Sequence, residues 1–527
     1  MFFEVIVCAF IGIVAVFAIL TLWRKKYRRF VPDNKHSVFQ VLLDAIDSIL
    51  FVTSGKKNAL HLYIVKYFTE KSKIQTATVI YTLVVWCPMG NHTQRRSSKR
   101  TFERKENNRK NDVSQWKERK KLLAAGFQNN MLKGYLAVMN EHAQKLVEFL
   151  HGETGKDFTC IESPISLCSL DIVCESILGL KIGALQSEAE EYVSSLHRLL
   201  ELAMTRIWKF WLWSDFMCHR TNDYKEALQH IKITHGFSRS IVKERKVRYM
   251  NGEMGDDSRR PKCLLDILLK LHIEDQVLDE EGVRQEVDTF IGHDTVTVAV
   301  KWALYLIGLY TEVQEKIHQE LDSVLGADSK GALSVADLNE LKYLECVLKA
   351  SPSQDSSFKQ FSRKMMFLMK ALFSPEILPY PMHLCLCGSQ KECNRLYPPV
   401  PLFARKVSEE TSICGHTIPK RTTVVVTPFL VHRDEDVFPD PEKFDPERFL
   451  PENSTHIPEC AYIPFAAGPR NCIGRVFGEM EVKLLVCHIL RSFSLHSLDS
   501  RDQVLPVAKI TLQSSEPARI KFRRRQQ

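Results

Sequence analysis

The sequence predicts a mainly helical protein with a minor sheet, preceded by a single membrane-spanning helix. Three observations carry that expectation. From Trp116 to about Leu348, segments with an apolar residue every three or four positions follow one another. After Tyr397-Pro398-Pro399 the chain changes character, with β-branched strand signals over residues 418–426 and 509–522. At the other end, residues 5–23 form an almost unbroken apolar run, followed at once by Arg24, Lys25, Lys26, Arg28 and Arg29.

Apolar residues at the centre of such a run favour insertion by about 0.3–0.6 kcal/mol each, and a basic flank stays cytoplasmic. A cleaved signal peptide would place its basic residues before the run and a small-residue site after it. Neither is present, so residues 1–30 read as an uncleaved anchor that leaves the rest of the chain in the cytosol. The fifteen cysteines of this 527-residue chain are irregularly spaced, which excludes a disulfide scaffold and points to reduced thiols. The net charge of +9 is concentrated in the anchor flank, in residues 95–121 and in residues 523–525. No zinc finger, stacking motif or helix-turn-helix accompanies it, so nucleic acid is not an expected partner; an acidic redox partner or an anionic membrane surface is.

Taken in order, residues 36–91 give weak signals, a short helix at 60–68 and strand-like content at 76–86. Residues 89–111 are polar, basic and without periodicity, as in a long loop or a disordered segment. Helical spacing then appears in Leu132, Leu136, Met139, Leu146 and Phe149, and again from Ile165 to Leu178 before a C-cap at Gly179. Residues 188–204 and 224–249 are further helices. Between them Trp208-Lys209-Phe210-Trp211-Leu212-Trp213 suits either a core or a bilayer interface. Residues 264–271 form an apolar helix. Residues 283–310 form a long one with the polar interruption Gly292-His293-Asp294-Thr295, and Ser334 starts a helix leading into 341–348.

The stretch that carries the chemistry is Pro464-Phe465-Ala466-Ala467-Gly468-Pro469-Arg470-Asn471-Cys472-Ile473-Gly474-Arg475. Gly468, Pro469 and Gly474 bracket Cys472 in a loop, after which residues 476–493 resume helical spacing. A thiolate at a helix N-terminus is favoured by the unpaired N–H groups there, which lower its pKa and suit it to a metal. Arg470 is placed to hold an anionic edge group of a flat cofactor.

The pattern Phe-x-x-Gly-x-Arg-x-Cys-x-Gly over 465–474 resembles the haem-thiolate loop of the cytochrome P-450 superfamily. The resemblance implies that Cys472 is the axial ligand of a haem b iron and that Phe465 and Arg470 lie against the haem. In Gly292-His293-Asp294-Thr295 it implies a hydroxyl from Thr295 offered to dioxygen and a proton relay through Asp294. Glu392-Cys393-Asn394-Arg395 resembles the superfamily's Glu-x-x-Arg pair, completed by Arg448 of Pro446-Glu447-Arg448-Phe449. Trp116-Lys117-Glu118-Arg119-Lys120 is similar to the segment that clamps the haem propionates. Lys120 there replaces the usual arginine, and Arg405 adds a further propionate contact. Residues 123–147, 167–183, 286–290 and 461–480 resemble family 4, whose members hydroxylate fatty acids near the chain end.

The resemblance thus implies a P-450 fold over 116–527, with a degraded N-terminal part at 31–115. It further implies an endoplasmic-reticulum membrane setting, electrons from NADPH through a flavoprotein reductase, and a lipophilic substrate. Two departures stand out. Only Ile291 separates Phe290 from Gly292 where family 4 has three residues, including the glutamate that esterifies to haem. The two missing residues turn the upstream helix by roughly 200°, and no covalent haem link is expected. Residues 350–390 interrupt a single helix and match nothing in the family. These departures sustain a rival expectation, a catalytically impaired haem- or lipid-binding membrane protein.

Overall fold

The computed structural model describes residues 120–344 and 391–525, apart from 122, 128, 187–188, 210–211, 213, 252–262, 327–330, 408, 414–415, 421, 451, 459–460 and 469. The expected anchor at 1–30, the 31–115 segment, Trp116, the insert at 350–390 and all four aromatics of 208–213 lie outside the described residues or side chains. Among the described residues no single helix is long and apolar enough to cross a membrane. One pair bent by 107°, Glu280–Leu309 with Thr311–Leu325, passes that test together.

The described residues fall into two compact units, a smaller one holding 403–426 and a larger one holding the rest. Among the described residues of the larger unit the α-helices of five or more residues are α1 (Asn129–Glu153), α2 (Glu162–Ser176), α3 (Glu190–Trp208), α4 (Asn222–Met250), α5 (Leu264–Ile273), α6 (Glu280–Phe290), α7 (His293–Leu309), α8 (Thr311–Leu325), α9 (Val335–Glu340), α10 (Glu392–Leu396) and α11 (Arg475–Ser492). Its three-stranded antiparallel sheet has the order β1 (Thr159–Cys160), β9 (Arg519–Arg524), β6 (Phe493–Ser497), and β7 (Pro506–Ala508) pairs with β8 (Leu512–Ser514). In the smaller unit β2 (Phe403–Lys406) pairs antiparallel with β5 (Thr423–Val426), and β3 (Thr411–Ile413) with β4 (His416–Ile418).

Local chemistry explains several boundaries. Thr221 accepts a hydrogen bond from the Tyr224 amide to start α4, and Ser334 and Asp337 form a reciprocal capping box at α9. Gly179, expected to close α2, has φ 73°, and the Leu180 amide bonds back across it to the Cys174 carbonyl at 3.0 Å. The apolar stripe of α1 is buried at Leu132, Leu136, Met139 and Leu146, but Phe149 is exposed.

The expected continuous helix over 283–310 is two helices. Ile291 ends α6 with ψ 55° and Gly292 precedes α7 with ψ 29°, both outside the helical range. Isoleucine carries a β-branched penalty and glycine an entropic one, so the short Ile291-Gly292 junction is where the ladder yields.

The centre of the larger unit is α7, buried from Val296 to Gly308 on every side. It packs on α2, α8, α10, α11 and β6. Trp302 stacks on Tyr397 at 4.0 Å and 5°, while its indole N–H donates to the Leu512 carbonyl at 2.7 Å. Gly308 lets β6 come close: a Cβ there would lie 2.6 Å from Ser497 Oγ. Because α7 is fixed along its length, its first turn, residues 293–297, is held rigidly against its neighbours.

Candidate active site

Two helix starts define the site. The loop before α11 carries Cys472, and the first turn of α7 carries Asp294 and Thr295. They are packed together, since a Cβ on Gly478 of α11 would lie 3.8 Å from Val296 Cγ2.

The cysteine loop is set by its backbone. The Cys472 amide donates to the Phe465 carbonyl and the Asn471 amide to the Gly468 carbonyl, both at 3.0 Å. Gly468 adopts φ 75°, the left-handed region open to glycine. Cys472 itself is exposed, with Phe465 half-buried behind it and Arg470 exposed beside it. Exposure of the residue coexists with crowding of its sulfur. Burial is the leading influence and pushes the thiol above its ordinary range, opposed by the Gly474 N–H and the charges of Lys120 and Arg475. The lowered thiol pKa expected from a helix N-terminus is therefore not found. The reason is distance along the chain: α11 begins at Arg475 with Gly474 as its cap, so only one amide turns toward the sulfur.

Lys120 lies beside this loop, with its ammonium donating to the Asn471 side chain and, at 3.3 Å, to the Asn471 carbonyl. Burial lowers its pKa, and the neighbouring Cys472 raises it in return. A basic group thus stands next to the residue preceding Cys472, where an anionic edge group of a flat cofactor is within its compass. Arg475 bonds Glu479 at 2.8 Å and lies 5.6 Å from the Phe465 ring. Arg405 belongs to β2 in the other unit, half-buried, and donates to the Ala404 carbonyl at 2.9 Å.

On α7, Thr295 is exposed while His293, Asp294, Val296 and Thr297 around it are buried. Its hydroxyl donates to the Gly292 carbonyl at 3.0 Å, a local bond that still leaves the oxygen lone pairs available. Asp294 is not directed at Thr295. Its Oδ1 accepts from His197 Nε2 on α3 at 3.2 Å, and its Oδ2 accepts from the Thr511 hydroxyl at 2.8 Å. Burial raises the Asp294 pKa, but the His197 and Thr511 bonds bring it below the ordinary carboxylate value. His293 is fully buried with neither ring nitrogen paired, and burial lowers its pKa to about 4. Glu481 of α11 lies 2.7 Å from the Ser169 hydroxyl, and burial raises its pKa to about 8, so it is neutral at pH 7.

Beneath these elements Glu392 and Arg395 are both 0% exposed. Their bond is bidentate, Nε to Oε2 at 2.6 Å and Nη2 to Oε1 at 2.8 Å. The other three guanidinium N–H groups reach the carbonyls of His432 (3.1 Å), Pro441 (2.6 Å) and Lys443 (3.0 Å). Arg448 joins from the 3₁₀ turn Pro446–Phe449, but its Nε is 3.6 Å from Glu392 Oε1, a charge contact beyond hydrogen-bond length.

The described residues fit a haem held through sulfur: one exposed, backbone-pinned thiol, a basic group beside it, and an exposed hydroxyl on the helix packed against it. A comparison of sequences decides the matter. The sequence profile of the family described as Cytochrome P450 matches residues 33–350 and 389–522. This chain belongs to the cytochrome P450 family. It is 36% identical over 424 residues to Cytochrome P450 4V2 of Homo sapiens, covering 78% of this chain and 72% of that one. It is 32% identical over 423 residues to Cytochrome P450 4c3 of Drosophila melanogaster, covering 77% and 71%. The P450 chain is accordingly a monooxygenase, an oxidoreductase whose cofactor is haem with iron ligated by a cysteine thiolate. The match to the P450 profile stops at 350 and resumes at 389, ahead of Glu392.

The sequence points to Cys472, Thr295, Asp294, Lys120, Phe465, Arg470, Glu392, Arg395 and Arg448, which lie in one unit of this P450, and also to Arg405, which belongs to the other unit, and Trp116, which lies outside the described residues. The sequence does not point to His197, Thr511, Ser169 or Glu481, each of which meets the site across more than 100 positions or in a segment without a motif.

Proposed function

We propose that this P450 hydroxylates a lipophilic substrate of the fatty-acid type, with Cys472 as the thiolate that would hold its haem iron. The observation that carries the reading is the pairing of an exposed, backbone-fixed Cys472 with the exposed Thr295 on the helix packed against it. Haem bound through sulfur supplies dioxygen activation and the oxidising power that attacks a C–H bond. Lys120 and Arg470 would hold its carboxylates, Trp116 would add an indole donor, and Phe465 would lie against it beside Cys472. No ester to the protein forms. Thr295 presents a hydroxyl that accepts and passes a proton, and Asp294 is the buried acid that replenishes it. Glu392, Arg395 and Arg448 lock the segment that underlies the loop. Electrons come from NADPH through a flavoprotein reductase at the basic surface. The apolar run at 5–23 anchors the chain in the endoplasmic-reticulum membrane, with the catalytic part on the cytosolic side and the substrate supplied from membrane lipid.

The deciding experiment is a reduced carbon monoxide spectrum of the purified protein, followed by product analysis with reductase, NADPH and medium- to long-chain fatty acids. A thiolate-type red-shifted Soret band with hydroxylated product supports the reading. The same band without product favours an impaired haem- or lipid-binding protein, a reading that the break at Ile291-Gly292 sustains.

Thr295→Ala tests the distal assignment. The variant keeps a helix-favouring residue and loses only a hydroxyl bonded within its own turn, so folding and the carbon monoxide band should be unchanged. Product per NADPH consumed should fall by roughly 10²-fold, within the range of positioned proton transfer. Unchanged coupling would remove Thr295 from the mechanism.

A further inference from the structure

Asp294 is held by two partners, and they differ in kind. Thr511 is buried, and its oxygen is itself fixed by the Gln513 amide at 3.1 Å. His197 is 34% exposed, bonds Asp294 at the longer distance, and is the one member of the pair in reach of bulk water. The remaining charges around them are engaged. Lys301 on α7 is buried and bonded to Glu162 of α2 at 3.0 Å and to Gln513 at 2.7 Å. Lys509, in the β7–β8 turn, pairs with Glu201 one turn along α3 at 2.6 Å. Glu226 on α4 is taken by Arg198 at 2.6 Å. His293 is neutral.

We propose that His197 is a positioning residue that loads Asp294 with the proton it later delivers and, by doing so, frees it to turn toward Thr295. This rests on the assignment of Asp294 as the acid of the site. In the transfer the Nε2–H bond of the imidazolium breaks as an O–H bond forms on Asp294 Oδ1; the step is uphill at rest, because His197 holds its proton more tightly than Asp294 does, and it is drawn forward when Thr295 takes the proton. The imidazole then regains a proton from solvent water, and no electrons move. The carboxyl becomes neutral and loses its charge attraction to His197. Of its two bonds the 3.2 Å contact to His197 then yields before the 2.8 Å contact from Thr511.

Burial works to lower the His197 pKa, but the bond and charge of Asp294, aided by Glu162, carry it above the ordinary imidazole value of about 6.5. The sign follows. A raised histidine pKa stabilises the fold fully below about pH 6.5, and that contribution is lost as pH rises through the folded-state value.

The test compares the full-length haem-loaded enzyme with His197→Gln, which keeps an N–H donor to Asp294 but does not titrate. Asp294→Asn serves as the control. For the wild type, both melting temperature and product per NADPH should decline as pH rises from 6.5 to 9. For His197→Gln the melting temperature should decline less steeply, keeping the share due to Glu481, and coupling should be roughly tenfold lower and flat with pH. Should glutamine not be tolerated, His197→Arg keeps the charge without neutral-range titration, and its coupling should be equally low and flat. If His197→Gln or His197→Arg follows the wild-type coupling profile while Asp294→Asn is uncoupled, the role of His197 is overturned and that of Asp294 stands. If Asp294→Asn remains fully coupled, the assignment of Asp294 fails and this inference with it.

Discussion

Cys472→Ser should give a folded protein whose reduced carbon monoxide complex lacks the thiolate-type Soret band and which makes no NADPH-dependent product. The loop does not depend on the sulfur for its shape. Its turns are closed by the Cys472–Phe465 and Asn471–Gly468 backbone bonds and by the positive φ of Gly468, and serine is close to isosteric. What changes is the charge the ligand can carry. Burial pushes the Cys472 thiol up while Gly474, Lys120 and Arg475 pull it down, so binding of the metal supplies the remaining drive to deprotonate. A serine hydroxyl does not ionise under the same influences, and with it goes the electron-rich sulfur that favours O–O cleavage. Melting curves and circular dichroism would confirm folding, and the spectrum reports the ligand. A normal thiolate band in the serine variant would show that another residue holds the iron.

The parts of this site that the sequence displays are those in which local chain geometry and chemistry coincide. In the cysteine loop, Gly468 must take a left-handed turn and Cys472 must follow it at a fixed interval, so the spacing of residues records the geometry. The same holds for Glu392 and Arg395, three apart on one short helix. Helices such as α4 are legible because they bury a single stripe, here Thr234, Ser238, Ile241 and Val242. The junction at Ile291-Gly292 is not, because the polar interruption at 292–295 is compatible with a continuous helix and only backbone dihedrals show the break. Nor does any pattern link His197 to Asp294, which lie 97 positions apart, or Thr511 to Asp294, which lie 217 apart. Those contacts follow from the packing of α3 and the β7–β8 hairpin. The thiol pKa escapes the sequence for a related reason: the cap of the helix, Gly474, lies between it and Cys472.

Arg395→Leu should abolish haem loading altogether. Arg395 uses all five of its N–H donors, two on Glu392 and three on the carbonyls of His432, Pro441 and Lys443. Its loss leaves the Glu392 carboxylate buried with the Asp445 amide at 2.9 Å and the distant Arg448 as its remaining partners. Breaking one side of a buried ion pair costs about 3–5 kcal/mol, and three stranded carbonyls add to it. Set against a total stability of about 5–15 kcal/mol, that is enough to unfold the segment from His432 to Phe449 that packs below the loop. Arg395→Lys should fail nearly as badly, since an ammonium has three donors and no planar fork. Arg448→Lys should be far milder, because the Arg448 contact is already 3.6 Å and its other bond goes to the Asp440 carbonyl. The ratio of Soret to protein absorbance, measured beside the melting temperature, ranks the three variants. Equal loss in all three would mean that the triad acts as a unit. Full loading in Arg395→Leu would mean that the buried pair does not support the haem site at all.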